Sequence, residues 1–308
     1  MLKKKKIILF IISFLFCNFA QSQEIIIISK IGDDIVTNID IENEKKYLLL
    51  LNDKLDQLKE DDFFRLAKNS LTKELIKKKE VNKSFKITDE KVKNKIIENF
   101  YTRIGFKNKN EFINYLDKKK INFENLKEKL IIEAFWNQII YIKFNNRVRI
   151  DKSSIEKDIV NYYNSRDKKF EFNLSEIVID AEKDINFKKK EILNYINKFG
   201  FKVAANKFSK SDTSKYGGEI GWIKSSRLTK KIKNKISKIQ VGEVTEPIQT
   251  SNGYLFIKLN QKREIKEKLD LKSELKQQVE FEKNRQLNQF SLNYFKKLKK
   301  NTSIYESK

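Results

Sequence analysis

Apolar residues recur at two different periods along this chain, and the change of period divides it. Residues 24–41, EIIIISKIGDDIVTNIDI, carry two short apolar runs on either side of Gly32-Asp33. That pattern predicts two β-strands around a turn, then a helix starting near Thr37 or Asn38. Beyond it the spacing becomes helical: Phe63, Phe64, Ala67, Leu71, Leu75 and Ile76 recur three and four residues apart. Thr88-Asp89-Glu90 offers a cap and acidic first turn to the next helix, and Asn108 with Glu111 opens another. Asn122 starts a third, running through Leu126, Leu130, Ala134 and Ile140, and Ser153 with Glu156 reads as a capping box for a fourth. No proline and only Gly105 interrupts residues 33–199. The first half is therefore expected to be a helical domain that begins with a small hairpin.

From about residue 170 the punctuation changes. Phe172 to Ile179 reads as a strand, residues 187–199 as a helix ended by Gly200, and 202–207 as a second short helix. Three of the eight glycines, Gly217, Gly218 and Gly221, then fall within five positions. A cluster of this kind marks a tight turn with little room for side chains. A helix carrying Leu228, Ile232, Ile236 and Ile239, a turn at Gly242, a strand over Val244 to Thr250, an Asn252-Gly253 hairpin and a strand over Tyr254 to Leu259 complete an α+β unit. The tail from Ile265 to Leu298 has neither Gly nor Pro, and Leu287, Phe290, Tyr294 and Leu298 form a helical stripe. Propensity alone does not hold such a helix, so packing on the N-terminal helices is expected, with a solvated coiled-coil arm as the alternative.

The first residues and the composition narrow the setting. MLKKKKIILFIISFLFCNFAQSQ has a lysine-rich start, an apolar run and a small-x-small end at Ala20-Gln21-Ser22, the three parts of an export signal. Retention of the run as a membrane anchor is the alternative. Cys17 follows Phe16, where a lipoprotein site would want a small residue. Cleavage after Ser22 would leave a chain with no cysteine and no histidine, which excludes disulfides, cysteine nucleophiles, common zinc sites and imidazole bases. Neither a metal nor any other cofactor is expected. Net charge falls from +24 to about +20 without the leader lysines. Such a balance is compatible with nucleic acid or an anionic envelope surface. Arginines and interleaved aromatics are not concentrated anywhere, however, and Lys, Asn, Ile and Phe are inflated throughout, so no nucleic-acid partner is expected.

Three stretches, FNLSEIVID, KFGFKVAANKFSKSDTSKYGGEIGWI and VGEVTEPIQTSNGYLFIKL, together resemble the parvulin peptidyl-prolyl isomerase domain. With the leader, the hairpin start, KITDEKV, VRIDKSSIEKDIVNYYN and the closing helix, the chain is similar to SurA-type periplasmic chaperones. The resemblance implies an α+β fold in four parts: a signal peptide (1–22), a helical domain (23–167), a parvulin-like domain (168–262) and a C-terminal helix (263–308) that completes the helical domain. It implies a periplasmic chaperone for unfolded outer-membrane polypeptides, holding proline- or aromatic-containing segments and touching the membrane only through an uncleaved signal peptide.

By the same resemblance, Ile220, Leu228 and Ile232 match the apolar positions that hold the proline ring, with Trp222 beside them, and the double glycine leads into the strand lining that pocket. Read as residues alone, Leu228 and Ile232 are one face of a core helix and Trp222 is a core residue. At the family's catalytic positions stand Glu176 and Leu255, where histidines are usual, Ser211 or Asp212 at the Cys/Asp position, and Thr250 at the hydroxyl position. The paired imidazoles are gone, so weak or lost isomerase activity is expected. A working isomerase that uses Asp212, Thr250 and Glu176 is the alternative within the enzyme class.

Overall fold

The structure, a computed structural model, describes residues 24–165, 168–250, 253–265 and 270–307. The leader at 1–22, with Cys17, and Asn252 of the expected hairpin lie outside the described residues.

Strands β1 (Ile27–Ile31) and β2 (Asp34–Thr37) pair antiparallel about Gly32. Thr37 then caps helix α1 (Asn38–Leu51) in a reciprocal box: its amide donates to the Asp40 carboxylate at 2.8 Å while its hydroxyl accepts from the Asp40 amide at 3.3 Å. Helices α2 (Glu60–Ser84), α3 (Glu90–Arg103), α4 (Lys109–Lys118) and α5 (Phe123–Phe144) follow. The side chains of Asn108 and Asn122 accept first-turn amides of α4 and α5, as their sequence positions predict, whereas at α3 the cap is Asp89 rather than Thr88, because the helix begins one residue later, at Glu90. At α6 (Lys152–Asn164) the expected Ser153–Glu156 box does not form. The helix starts earlier and Asp151 accepts from the Ser154 amide at 2.9 Å, a carboxylate at the positive helix end. One core joins the hairpin to these helices through Ile31, Val36, Ile41, Ala67, Phe100 and Phe112.

The second unit is built on β3 (Phe170–Ile179), followed by α7 (Ile185–Phe199), α8 (Phe201–Phe208), β4 (Glu219–Lys224), α9 (Lys230–Ile236), β5 (Ile248–Thr250) and β6 (Gly253–Glu264). The four strands form an antiparallel sheet in the order β4-β3-β6-β5. The chain is therefore α+β: a helical body plus one small α+β module. Two expected elements are shorter. The helix through Leu228 and Ile239 shrinks to α9, with Leu228 extended at φ −88° and ψ 138°. The strand over residues 244–250 breaks into an isolated Val244–Lys258 bridge and β5, with Pro247, which has no N–H to give a ladder, just before β5. The last strand is longer than expected and reaches Glu264.

Helix α10 (Leu271–Lys300) spans about 45 Å at 1.5 Å per residue. It lies on the helical body rather than in solvent. The indole N–H of Trp136, fully buried on α5, donates to Ser291 Oγ at 2.9 Å, and its ring stacks on Tyr294 with centroids 5.7 Å apart. Leu287, Tyr294, Phe295 and Leu298 pack against Trp136, Ile139 and Ile140. Strand β7 (Ile304–Glu306), which the sequence pattern does not announce, then pairs antiparallel with β1. The end of the chain thus closes a three-stranded sheet, β2-β1-β7, with its start.

Candidate functional site

The two faces of the module sheet carry different cores. Phe172 and Leu174 of β3, with Ile257 and Leu259 of β6, gather Leu228 and Ile236, and Ile232 and Leu255 pack on that cluster in part. Ile177, Ile179 and Phe256 point the other way, onto α7 and α8 through Ile192, Phe201 and Ala205. Strand alternation assigns Glu176 to the first face, since its cross-strand partner is Ile257 and the adjacent same-face pair is Val178 with Leu255. Glu176 and Leu255 are diagonal neighbours on one face, the face that also holds Leu228 and Ile232.

The remaining sequence candidates divide. Ile220 sits where β4 is bulged against β3 and is 36% exposed, outside the cluster of Leu228 and Ile232. Trp222 alternates with Ile223, so it lies on the opposite sheet face from Leu228, with the Arg263 guanidinium 4.2 Å from its ring centre. A hollow formed by Leu228 and Ile232 therefore does not include Trp222, because the pleat turns its ring away. Thr250 ends β5 exposed and donates from Oγ1 to the Gly253 carbonyl at 3.1 Å.

Glu176 is gripped by the loop that precedes β4. Ser211 donates from Oγ to Glu176 Oε1 at 2.7 Å, and the Thr213 hydroxyl lies 2.9 Å from the same oxygen. Burial pushes the Glu176 carboxyl above the ordinary glutamate range, and these two hydroxyls pull it partly back. Asp212 turns the other way and lies 3.5 Å from the Lys77 ammonium on α2. Of the two candidates for one family position, Ser211 is thus the one beside Glu176. Thr213 was not singled out from the sequence. The hydroxyl-rich run SDTS just before the double glycine was the available signal.

The double glycine owes its identity to the same loop. Gly218 has φ +77°, and a Cβ there would stand 2.3 Å from the Glu176 carbonyl oxygen; the Glu176 amide donates to the Gly218 carbonyl at 2.8 Å. At Gly217 a Cβ would meet the Lys202 side chain of α8 at 2.7 Å. The crowding that selects glycine thus comes from β3 and α8, and not from clearance for a bound chain.

The loop also docks the module on the helical body. Lys77, with a side chain 6% exposed, donates to both Glu133 oxygens at 3.1 Å, and Lys215 reaches Glu133 Oε1 at 3.1 Å. Burial alone would raise the Glu133 carboxyl, but the ammonium groups of Lys215 and Lys77 outweigh it and hold the carboxyl well below its usual range. Buried Asn52, after α1, donates to Asn206 of α8 at 2.7 Å, and Val203 of α8 joins the helical-body core. Among the described residues no group of three or more His, Cys, Asp or Glu side chains is placed to hold a metal ion. No helix among them is long and apolar enough to cross a membrane.

Residues 172–261, which span the sheet and its helices, match the family model of the rotamase, PPIC-type PPIASE domain. Residues 172–261 are thus a PpiC-type parvulin domain. Among the chain's relatives, the Foldase protein PrsA 4 of Bacillus cereus is 28% identical over 241 residues, covering 74% of this chain and 77% of that protein. The Chaperone SurA of Pseudomonas putida is 24% identical over 189 residues, 58% of this chain and 43% of that protein. A solved structure of SurA-like chaperones from Campylobacter jejuni covers 92% of this chain and 99% of its own, at 13% identity and a TM-score of 0.38. In this module Leu228 is buried in the core of one sheet face with Ile232 packed against it, and the polar group on the same face, Glu176, only accepts hydrogen bonds when ionised.

Proposed function

We propose that this protein is an exported folding chaperone that holds extended, proline- or aromatic-containing segments of unfolded outer-membrane polypeptides. Its parvulin module binds such segments with little isomerase activity. The observation that carries the reading is the Glu176–Ser211–Thr213 cluster: the site's polar corner is occupied by hydroxyls already committed to a carboxylate, with Leu255 diagonal to it on the same sheet face.

Rotation of an X–Pro bond crosses a barrier of about 18–20 kcal/mol without breaking a bond, so no nucleophile is required. Acceleration comes from an apolar seat for the ring, exclusion of water and donors that favour the twisted amide. Leu228 and Ile232 supply apolar surface, while Leu255 supplies no donor and ionised Glu176 repels a developing negative oxygen. Losing about 3 kcal/mol of transition-state stabilisation costs about a hundredfold in rate. Binding is not subject to that loss. The names of the relatives, foldase and chaperone, support the holding role, and the lysine-rich, apolar first 22 residues support export.

The test is aggregation of a chemically unfolded β-barrel protein on dilution, with and without equimolar mature chain. Suppression that survives Glu176→Gln and weakens with Leu228→Asp is expected. No suppression by the unmodified chain would reject the holding role.

A further inference from the structure

Between α2 and the loop that joins α8 to β4 lies a cavity of about 170 Å³, walled by both the helical body and the module. Its charges do not balance: seven lysines and four carboxylates line it. Four of the lysines have acidic partners: Lys129 pairs with Glu44 and Glu74, Lys77 and Lys215 with Glu133, and Lys207 with Asp62. Lys73, Lys210 and Lys299 make no side-chain hydrogen bond or ion pair among the described residues. Lys73 is only partly open to solvent, on the α2 wall.

Burial and the positive charge of Lys77, opposed by the Asp212 carboxylate and reinforced by Lys210 and Lys215, lower the Lys73 ammonium to about 8. A group in that state gains from any anion that enters. The room suits an oxyanion with a few waters, each of which takes about 30 Å³. The Ser70 and Asn69 side chains at the wall add neutral donors.

We propose that this cavity is a binding site for an oxyanion, either a phosphate or the carboxylate of a chain end, held by Lys73 with Lys210 and Lys299. The occupant touches both walls, so it ties the parvulin module to the helical body. The inference does not depend on whether the module isomerises proline or holds clients.

The mature chain is treated with an amine-acylating reagent at pH 8 and the modified lysines are mapped by mass spectrometry. At that pH Lys73 has a neutral fraction about a hundred times that of an ordinary lysine, so it is expected to react ahead of exposed lysines. Inorganic phosphate should protect it at ionic strengths where sodium chloride does not. In parallel, thermal unfolding is followed in phosphate and in chloride of matched ionic strength for the unmodified chain and Lys73→Met. Phosphate should raise the midpoint of the former and leave the variant unmoved. A short peptide with a free carboxyl end, set against its amide, distinguishes the sources. Protection by the free end but not the amide assigns the site to chain ends, and protection by phosphate alone assigns it to phosphate. Protection by neither, or an equal phosphate response in Lys73→Met, overturns the proposal.

Discussion

Glu133→Gln removes the carboxylate that Lys77 and Lys215 share across the junction of body and module. At 3.1 Å and an effective dielectric near 20, each pair attracts by about 5 kcal/mol, most of which is offset by desolvation. After the change, Lys77 keeps Asp212 at 3.5 Å and the face of Trp136, whose ring centre is 5.4 Å away. Breaking a fully buried pair costs about 3–5 kcal/mol. Glu133 is 31% exposed, which discounts that figure to an expected loss of about 2–3 kcal/mol at pH 7. The Glu133 carboxyl is held low in the folded state, so its contribution is complete above the ordinary glutamate value and is lost as pH falls through the folded value. The gap between the unmodified chain and Glu133→Gln should therefore close in acid. Urea unfolding of the unmodified chain, Glu133→Gln, Lys215→Met and the double variant gives both the loss and the coupling across the junction. A loss under about 0.5 kcal/mol at pH 7, or an equal cost of Lys215→Met in both backgrounds, would refute the ionic junction.

Gly218→Ala should cost about 3 kcal/mol in urea unfolding, from a disfavoured positive φ plus the collision with the Glu176 carbonyl; a loss below about 1 kcal/mol would mean the turn has another conformation. Ser291→Ala should cost about 1–3 kcal/mol by leaving the buried Trp136 N–H without an acceptor, and should blue-shift tryptophan emission little if the stack on Tyr294 persists. Glu176 has the opposite sign to Glu133. Its folded value is raised, so its contribution is complete below the ordinary glutamate value and lost as pH rises through the folded one. Stability of Glu176→Gln relative to the unmodified chain should therefore improve from acid toward neutral pH, and a flat difference across that range would contradict the buried carboxyl.

What was legible in the sequence was local. Asn108 and Asn122 announce α4 and α5, and Thr88-Asp89-Glu90 announces α3 to within one residue, because a cap satisfies amides two or three residues away, a contact the sequence itself contains. The misreadings come from competition between signals. Asp151 took the cap expected of Ser153, and the apolar spacing of Leu228, Ile232, Ile236 and Ile239 reflects burial against one sheet face rather than one continuous helix. Strand β7 was not readable, since its partner β1 lies some 275 residues away and only the return of α10 brings them together. Glu176 and Leu255 are singled out by the resemblance alone, and the strand register sets them diagonal to one another on one sheet face. The pairing of Lys215 with Glu133 and the turning of Asp212 toward Lys77 depend on how two units meet, which no spacing within either unit encodes.

The proposed function requires that the parvulin module keep a binding face while lacking the machinery for fast rotation. Its most direct test is kcat/KM on a proline tetrapeptide in a protease-coupled assay, with an imidazole-bearing parvulin assayed alongside and Leu228→Asp as control. A value at least about a hundredfold below the imidazole-bearing enzyme is predicted. A value equal to it, abolished by Leu228→Asp, would contradict the account.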